Sequence, residues 1–218
     1  MAIGLGIIGA SGKMGRRLLE IGSKDPDIFI AGKASRGNEF DNLQYADIAI
    51  DFSNASLLSM ILEFGLRTKK PLVIGTTGHA LSELEAMKET SRYLPIFHAP
   101  NFSVGAAALI EAVGKISESL PEDFSISIEE CHHIHKKDIP SGTALTIAAA
   151  ISVRKPIIHS KREGETVGEH EVVFSNPEEK IILRHSATSR DLFAKGALFA
   201  AKFLIKKPAG LYTMKDLL

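Results

Sequence analysis

The 218-residue sequence has no tryptophan, a single cysteine and no excess of either charge. Because the one cysteine, Cys131, cannot form an intrachain disulfide, a disulfide-stabilised secreted fold is excluded and a reducing compartment is favoured. Lysine and arginine together number 26, and so do aspartate and glutamate. The formal net charge of +0 provides no overall field, so neither nucleic acid nor an anionic membrane is expected as a partner.

Long apolar runs are also missing. No segment approaches the roughly 20 apolar residues of a transmembrane helix. The N-terminal MAIGLGIIGASGKMGRR has neither the basic region nor the small-residue cleavage site of a signal peptide. We therefore expect a cytoplasmic protein without membrane association. The hydrophobic content of 44% is that of an ordinary globular chain, long enough for one large or two modest domains.

Short apolar segments alternate with helical patterns over roughly the first hundred residues. Strands are expected at Ile3–Gly9, Ile28–Ile30, Ala46–Phe52, Pro71–Gly75 and Leu94–His98. Ser53 and Asn54 are suitable N-caps for a following helix, and Ser82-x-x-Glu85 has the spacing of a capping box. The alternation predicts an α/β fold with a Rossmann-like, doubly wound parallel sheet over residues 1–104.

The pattern changes in residues 105–189. Glu171–Phe174 and Lys180–Leu183 are separated by Ser175-Asn176-Pro177, which indicates a hairpin. Together with a strand at Phe124–Glu130, the hairpin predicts a second α+β domain built on a mixed sheet. A C-terminal helix and tail, 190–218, are expected to pack back on the first domain.

A glycine-rich turn, Gly9-Ala-Ser-Gly12-Lys-Met-Gly15, follows the first predicted strand and opens the first helix. Glycines in this context allow the backbone to approach a pyrophosphate at the helix N-terminus. The spacing is G-x-x-G-x-x-G rather than G-x-G-x-x-G, so an ordinary glycine turn is the alternative. Two other turns follow predicted strands, where open α/β sheets bind ligands, although either could be an ordinary turn: Gly75-Thr76-Thr77-Gly78 and Ala99-Pro100-Asn101-Phe102-Ser103.

The end of the second predicted strand bears on the choice of nucleotide. An NAD-binding fold usually carries an acidic residue there for the ribose 2′-hydroxyl. No Asp or Glu lies between Ile28 and Gly37. Ser35 can hydrogen-bond, whereas Lys33 and Arg36 can meet a 2′-phosphate, so the segment favours NADPH, or the use of both nucleotides. Simple solvent exposure of the two basic residues is the alternative.

The segment ECHHIHKKDIPSGT, from Glu130 to Thr143, concentrates three imidazoles and two ammonium groups in six positions: His132, His133, His135, Lys136 and Lys137. A Ser-Gly-Thr turn then opens a predicted helix over 144–153. Cations facing the N–H groups of a helix start describe an anion site with proton donors. A solvated basic loop is the alternative.

Two other kinds of chemistry are weaker interpretations of the same segment. Consecutive ligands on a strand alternate sides and no spaced second pair follows, so no metal is expected. A nucleophilic Cys131 beside His132 would suit a phosphorylating aldehyde dehydrogenase, but adjacency in sequence is not triad geometry.

The motifs together resemble the 4-hydroxy-tetrahydrodipicolinate (dihydrodipicolinate) reductase family of bacterial lysine biosynthesis, nearly end to end. They are GASGKMG, IDFS, GTTG, PNFSVG, ECHHIHKKDIPSGTA, VGEH, SRDLFAKGAL and GLYTMKDLL. The resemblance implies a dinucleotide-binding domain over 1–104 and a substrate-binding domain over 105–189 that forms a homotetramer through its sheet. It also implies NAD(P)H-dependent reduction of 4-hydroxy-tetrahydrodipicolinate, a small pyridine dicarboxylate, to tetrahydrodipicolinate, in the lysine and diaminopimelate pathway.

The resemblance also assigns residues. His132 matches the family's acid/base residue and Lys136 its proton donor. His133 matches a ligand of the substrate carboxylate, as do the backbone groups at Ser141, Gly142 and Thr143. The cofactor contacts match Gly9, Ala10, Ser11, Gly12, Lys13, Met14, Gly75, Thr76, Thr77, Ala99, Pro100, Asn101 and Phe102. Ser35 stands where many members have an acidic residue, beside a matching Arg36, and this departure bears on nucleotide preference rather than on the reaction.

Two other functions fit the same fold. One is a nucleotide-sensing relative without catalysis, which would have no reason to keep His132, Lys136 and the Ser141-Gly142-Thr143 turn together. The other is a different amino-acid-pathway dehydrogenase, such as homoserine dehydrogenase.

Overall fold

The structure is a computed structural model that describes residues 2–35 and 40–218. The strands are β1 Ile3–Ile8, β2 Ile28–Ala34, β3 Ile48–Asp51, β4 Leu72–Ile74, β5 Pro95–His98, β6 Ser125–His132, β7 Ile157–Arg162, β8 Gly168–Ser175, β9 Lys180–Ala187 and β10 Gly210–Tyr212. The α-helices are α1 Lys13–Gly22, α2 Leu58–Thr68, α3 Leu81–Thr90, α4 Val104–Ser119, α5 Gly142–Ala150 and α6 Asp191–Leu204. Short 3₁₀ helices cover Phe40–Leu43, Ala55–Leu57 and Met214–Leu217.

The chain divides into two compact units. The first comprises the described residues of Met1–Phe102 together with Phe193–Leu217, and the second comprises Ser103–Leu192 and Leu218. No helix in the described part of the chain is both long and apolar enough to cross a bilayer.

The first unit is built on a six-stranded parallel sheet in the order β10-β5-β4-β3-β1-β2. Its central strands are buried almost throughout, which is why they are continuous apolar runs rather than alternating ones. The Rossmann-like prediction is confirmed. The strand predicted over Ala46–Phe52 is shorter, however, because only Ile48–Asp51 pairs with its neighbours.

The second unit is built on a four-stranded mixed sheet in the order β7-β6-β8-β9. β6 pairs in parallel with β7 and antiparallel with β8, and β8 and β9 form the predicted hairpin. Apolar side chains on one face of this sheet pack against α4 and α5: Ile126, Ile128, Val172 and Phe174 meet Leu109, Val113, Ala144 and Ile147. The prediction of a mixed sheet is confirmed.

Of three local predictions about helix ends, two were wrong and one is confirmed. The N-cap of α3 is Ala80, two residues before Ser82, and the Ala80 N–H donates to the Glu83 carboxylate at 2.7 Å. Asn54 is an N-cap as predicted: its side chain accepts a hydrogen bond from the Ser56 N–H at 3.0 Å, and it caps the 3₁₀ turn Ala55–Leu57 that leads into α2. The helix predicted over 144–153 is α5, which begins earlier because Ser141 is its N-cap and ends at Ala150.

β7 and β10 were not predicted. β7 is an edge strand whose residues alternate between exposed and half-buried, and only its first two residues are apolar. β10 has only three residues. Neither segment has the length or the apolar pattern on which a prediction of a strand depends.

Candidate active site

A polar layer continues the apolar face of the second sheet. Residues of a strand alternate between faces, so Glu130 and His132 lie on the same buried side of β6 as Ile126 and Ile128. His170 of β8 is directly opposite Glu130, and its ring centre is 5.2 Å from that of His132. The buried face formed by β6 and β8 therefore ends in titratable side chains rather than in further apolar ones.

Glu130 is at the centre of this layer and is only 1% exposed. Its Oε2 contacts Nδ1 of His132. Its Oε1 accepts hydrogen bonds from Nη1 of Arg162 at 2.9 Å and from the Ser141 N–H at 3.3 Å. Burial by itself would raise the pKa of Glu130, but hydrogen bonds from Ser160, Arg162 and His132 outweigh it and hold the pKa below its usual value. Glu130 is therefore a carboxylate.

His132 is also buried. Desolvation lowers its pKa below the ordinary histidine value, although the contact with Glu130 opposes this shift. No described residue hydrogen-bonds its Nε2. Gly168 lies against this edge of the ring, where a Cβ would come within 3.1 Å of Nε2. A glycine therefore leaves space at the nitrogen that is free to exchange a proton.

Arg162 connects this layer to the loop that carries Lys136. Its Nε donates to the carbonyl of Lys136 at 3.2 Å, and its Nη2 donates to the carbonyl of Asp138. The Lys136 Nζ contacts both carboxylate oxygens of Asp138, at 2.9 and 2.8 Å. The hydrogen bond from Lys136 is the main reason that the pKa of Asp138 is lowered.

The Asp138 carboxylate that Lys136 binds also belongs to the surroundings of the α5 N-terminus. The backbone N–H of Gly142 is a further, smaller cause of its lowered pKa. Ser141 caps the helix through its Oγ, which accepts from the Ala144 N–H at 3.2 Å and lies 3.3 Å from Nε2 of His170. An ammonium group thus binds a carboxylate beside a helix N-terminus, an arrangement that suits an anion.

The other histidines of the segment differ from His132. His133 is half-buried, and its Nδ1 has no hydrogen-bond partner among the described residues. His135 is exposed. Cys131 is a free thiol on the strand face opposite His132, which separates the two groups of the nucleophile alternative. Within residues 2–35 and 40–218, no three His, Cys, Asp or Glu side chains lie in a metal-binding arrangement.

The first unit presents three turns at the carboxyl ends of its strands. Gly9 has φ +82°, and a Cβ on it would lie 2.6 Å from the Phe52 carbonyl oxygen. A Cβ on Gly15 would lie 2.2 Å from the Gly9 carbonyl oxygen. The backbone is so close at Gly9 and Gly15 that only glycine fits at either position. The contact between Gly15 and Gly9 places the N-terminus of α1 beside the end of β1. This cradle fits the pyrophosphate of a dinucleotide.

A cavity of about 310 Å³ lies beside this cradle, lined by Phe52–Ala55 and Gly75–Thr77. Asp51 lies beneath it and is 1% exposed. Its carboxylate accepts hydrogen bonds from the hydroxyls of Ser53 and Thr76, and burial raises its pKa against their effect. Asp51 therefore ties the IDFS segment to the Gly75-Thr76-Thr77-Gly78 turn.

The remaining predicted cofactor residues have mixed surroundings. Ala10 is buried, whereas Ser11, Gly12 and Lys13 are exposed and Met14 is half-buried at the start of α1. Ala99 is buried, Pro100 exposed and Asn101 half-buried, and the Phe102 ring is a core side chain packed on Phe52 and Phe97. Ser35 is exposed at the end of β2. Arg36 lies outside the described residues.

Comparison with known proteins identifies the family. A family model described as "Dihydrodipicolinate reductase, N-terminus" matches residues 3–102, and one described as "Dihydrodipicolinate reductase, C-terminus" matches residues 105–218. The chain belongs to the dihydrodipicolinate reductase family. This membership supports the predicted reductase rather than a different amino-acid-pathway dehydrogenase.

Relatives within the dihydrodipicolinate reductase family match along the whole chain. A 4-hydroxy-tetrahydrodipicolinate reductase of Xanthomonas campestris pv. campestris is 40% identical over 97% of this chain and 95% of the relative. One of Caldanaerobacter subterraneus subsp. tengcongensis is 40% identical over 100% and 98%. The solved dipicolinate-bound dihydrodipicolinate reductase of Paenisporosarcina sp. TG-14 has a TM-score of 0.85 at 21% identity, with full coverage of both chains. That structure shares the fold.

Three residues of this family member were missed from the sequence. Glu130 stands two positions before His132, and the strand period alone places both on one face, so the signal was present. Arg162 lies on β7, a strand that was not predicted. His170 belongs to the VGEH motif, but its position opposite Glu130 depends on a strand register that the sequence does not reveal.

The buried His170 predicts a pH dependence of stability. Burial, followed by the nearby His132, lowers the pKa of His170 from 6.5 to about 4. Between pH 6.5 and about 4, His170 is therefore protonated in the unfolded chain but not in the folded chain. We expect this residue to account for a loss on the order of 3 kcal/mol of unfolding free energy as pH falls through this window. Urea unfolding of wild type and His170→Gln across that range measures it.

The control for this measurement is His159→Gln, since His159 is exposed on β7. The His159 variant should keep the pH dependence of the wild type, whereas His170→Gln should flatten it. Equal slopes for all three proteins would mean that His170 does not titrate as its burial implies.

Proposed function

We propose that this chain catalyses the NAD(P)H-dependent reduction of 4-hydroxy-tetrahydrodipicolinate (dihydrodipicolinate) to tetrahydrodipicolinate, a step of lysine and diaminopimelate biosynthesis. Membership of the dihydrodipicolinate reductase family makes it an oxidoreductase. The observation that carries the proposal is the second unit's site. There, a buried imidazole with one free nitrogen lies on the same network as an ammonium group that binds a carboxylate beside a helix N-terminus.

Substrate binding follows from the contacts of Asp138. A pyridine dicarboxylate needs donors for two carboxylates, and charge-assisted hydrogen bonds are the strongest available. We propose that one substrate carboxylate replaces the Asp138 carboxylate on Lys136 and also binds the N–H groups of Gly142 and Thr143 at the start of α5. His133, next to His132 and with an unused buried nitrogen, would bind the same substrate.

The proton chemistry follows from charge balance. A pyridine nucleotide supplies a hydride when bound, and the protein supplies orientation and protons. Hydride addition to the ring must be balanced by one proton. Loss of the 4-hydroxyl as water needs a proton on the leaving oxygen and releases one from the adjacent ring carbon, so it calls on an acid and a base but consumes no net proton. We assign acid/base transfer to His132 through Nε2, and proton donation to Lys136.

Dinucleotide binding is assigned to the first unit. The cofactor residues proposed are Gly9, Ala10, Ser11, Gly12, Lys13, Met14, Ser35, Arg36, Gly75, Thr76, Thr77, Ala99, Pro100, Asn101 and Phe102. The glycine cradle and the cavity beside Phe52 support this assignment. The preferred nucleotide is NADPH, because the exposed Ser35 offers no carboxylate to the ribose.

The proposal further includes a homotetramer in the cytoplasm, with no nucleic acid or membrane partner. The central test is coupled turnover: the substrate is generated in the assay, and oxidation of NADPH and NADH is measured in parallel. A nucleotide-sensing protein without catalysis would bind NADPH, change that binding with dipicolinate, and oxidise neither nucleotide.

Nucleotide preference gives a specific prediction. Ser35→Glu would place a carboxylate where it can accept from a ribose 2′-hydroxyl and repel a 2′-phosphate. We expect the NADPH/NADH ratio of kcat/KM to fall at least about tenfold, which requires only about 1.4 kcal/mol. Steady-state kinetics with both nucleotides measures the ratio.

Two matched variants test the assignment of individual residues. Arg36→Ala should lower the ratio less than Ser35→Glu, because arginine can also stack on the adenine without binding the phosphate. Lys33→Ala should have a smaller effect still. An unchanged ratio in Ser35→Glu, or a wild type that uses NADH far better, would show that Ser35 does not line the ribose site.

A further inference from the structure

Glu130 receives donors on each of its two oxygens, and they come from different parts of the second unit. Oε2 contacts the imidazole of His132, whereas Oε1 accepts from Arg162 and from the Ser141 N–H. Ser141 is the N-cap of α5, the helix whose start is proposed to bind the substrate carboxylate. Arg162 in turn holds the carbonyls of Lys136 and Asp138. One buried carboxylate thus connects His132, the start of α5 and, through Arg162, the loop that carries Lys136.

We propose that Glu130 is a positioning residue that holds His132 with its proton on Nδ1 and leaves Nε2 for the substrate. This inference rests on the proposed function for the role of His132, but its geometric part does not. A carboxylate has only acceptor sites, so the ring nitrogen that contacts it must be the one that carries a proton. Fixing the tautomer in this way is the contribution of a buried carboxylate to a histidine that transfers protons.

The two donors on Oε1 explain why a glutamine could not replace Glu130. In a Glu130→Gln variant, Arg162 and the Ser141 N–H would still require an acceptor at the Oε1 position. The amide oxygen would therefore take that position, and the amide NH₂ would face Nδ1 of His132. Since an NH₂ group donates, Nδ1 would become an acceptor, and the proton of a neutral ring would move to Nε2. The charge-neutral isostere thus reverses the tautomer rather than merely weakening a contact.

The charge of Glu130 also supports the protonated form of His132. The charged or titratable groups near it are Glu130, Lys136, Arg162 and His170, and Glu130 is the one whose effect raises the pKa of His132. Arg162 keeps Glu130 ionised while the ring gains and loses its proton. Loss of the Glu130 charge would therefore lower the pKa of His132 further and would disfavour the imidazolium.

The test compares Glu130→Gln with Glu129→Gln. Glu129 is the exposed neighbour on the same strand and contacts Lys161 at 3.4 Å, so its variant makes the same charge change away from His132. We expect Glu130→Gln to lower kcat roughly 10- to 1000-fold, within the loss caused by removal of the acid itself. In the pH profile of kcat, the decline on the basic side should begin at a lower pH than in the wild type, because the pKa of His132 is lower. Glu129→Gln should stay within about twofold of the wild type.

The tautomer is measured independently of activity by ¹⁵N NMR of the His132 ring at a pH where it is neutral. The wild type and Glu129→Gln should carry the proton on Nδ1, and Glu130→Gln should carry it on Nε2. A wild type without reductase activity but with this pattern would contradict the proposed function and support the positioning of His132. An Nε2-protonated ring in the wild type would overturn the proposal, as would kcat within twofold of the wild type in Glu130→Gln.

A second variant covers the case in which Glu130→Gln fails to fold, since it leaves the half-buried Arg162 without its carboxylate. Glu130→Asp keeps the charge against Arg162 and Ser141 but is one methylene shorter, which withdraws the other oxygen from Nδ1. We expect native stability, a mixture of tautomers and at least about a fivefold loss of kcat. If Glu130→Asp has full activity and its His132 ring is protonated only on Nδ1, the proposal is equally overturned.

Discussion

Replacement of His132 by alanine is expected to lower kcat by about 10²–10⁴-fold, the usual contribution of a positioned acid or base. His132 is the one imidazole of its segment that is buried against a carboxylate and has a nitrogen left without a hydrogen bond from any described residue. NADPH binding should be almost unchanged, because the glycine cradle belongs to the first unit and His132 to the second. Turnover and NADPH titration on the same preparation separate these effects.

His135→Ala is the matched control for this experiment. His135 belongs to the same segment but is exposed, so its removal should leave kcat within about twofold of the wild type. If His132→Ala keeps kcat within threefold while its circular dichroism and thermal transition match the wild type, His132 does not transfer a proton. If both variants lose activity equally, the activity depends on the conformation of the whole segment rather than on the imidazole of His132.

The local chemistry of this site was accessible from the sequence to different degrees. The clustering of imidazoles and ammonium groups before a helix start predicted an anion site, and in the structure Lys136 binds one carboxylate close to the start of α5. That this carboxylate is the chain's own Asp138 was not predicted. The loop from His133 to Pro140 has no regular period, so nothing in the sequence sets which side chain folds back onto the helix.

Long-range partners were inaccessible for a different reason. Arg162 reaches Glu130 only because β7 pairs in parallel with β6, and Glu130 aligns with Ser160 in that register. Hydrophobic pattern does not reveal an edge strand that is half exposed, and register between strands is a property of the folded sheet. The parallel sheet of the first unit could be predicted because its buried central strands form continuous apolar runs.

Lys136→Met is expected to raise KM for the substrate and to lower kcat together, because the same ammonium is proposed to bind a carboxylate and to donate a proton. Loss of one charge-assisted hydrogen bond costs about 1.5–3 kcal/mol of binding, which corresponds to roughly 10- to 150-fold in KM. Methionine keeps the length and much of the apolar stem of lysine, so the loop retained by Arg162 should keep its backbone contacts. Steady-state kinetics at saturating NADPH gives both parameters.

Lys137→Met is the control for this variant. Lys137 is the next residue and is exposed, so its substitution removes the same charge from the same loop. If the two variants raise KM equally, the loop acts only through its general positive potential, and added salt should then weaken substrate binding in the wild type to a similar extent. If Lys136→Met alone raises KM and lowers kcat, the contact that Asp138 now makes with the Nζ of Lys136 marks where the substrate carboxylate binds. A Lys136→Met enzyme with normal KM and kcat would show that Lys136 is a solvated loop residue paired with Asp138 and nothing more.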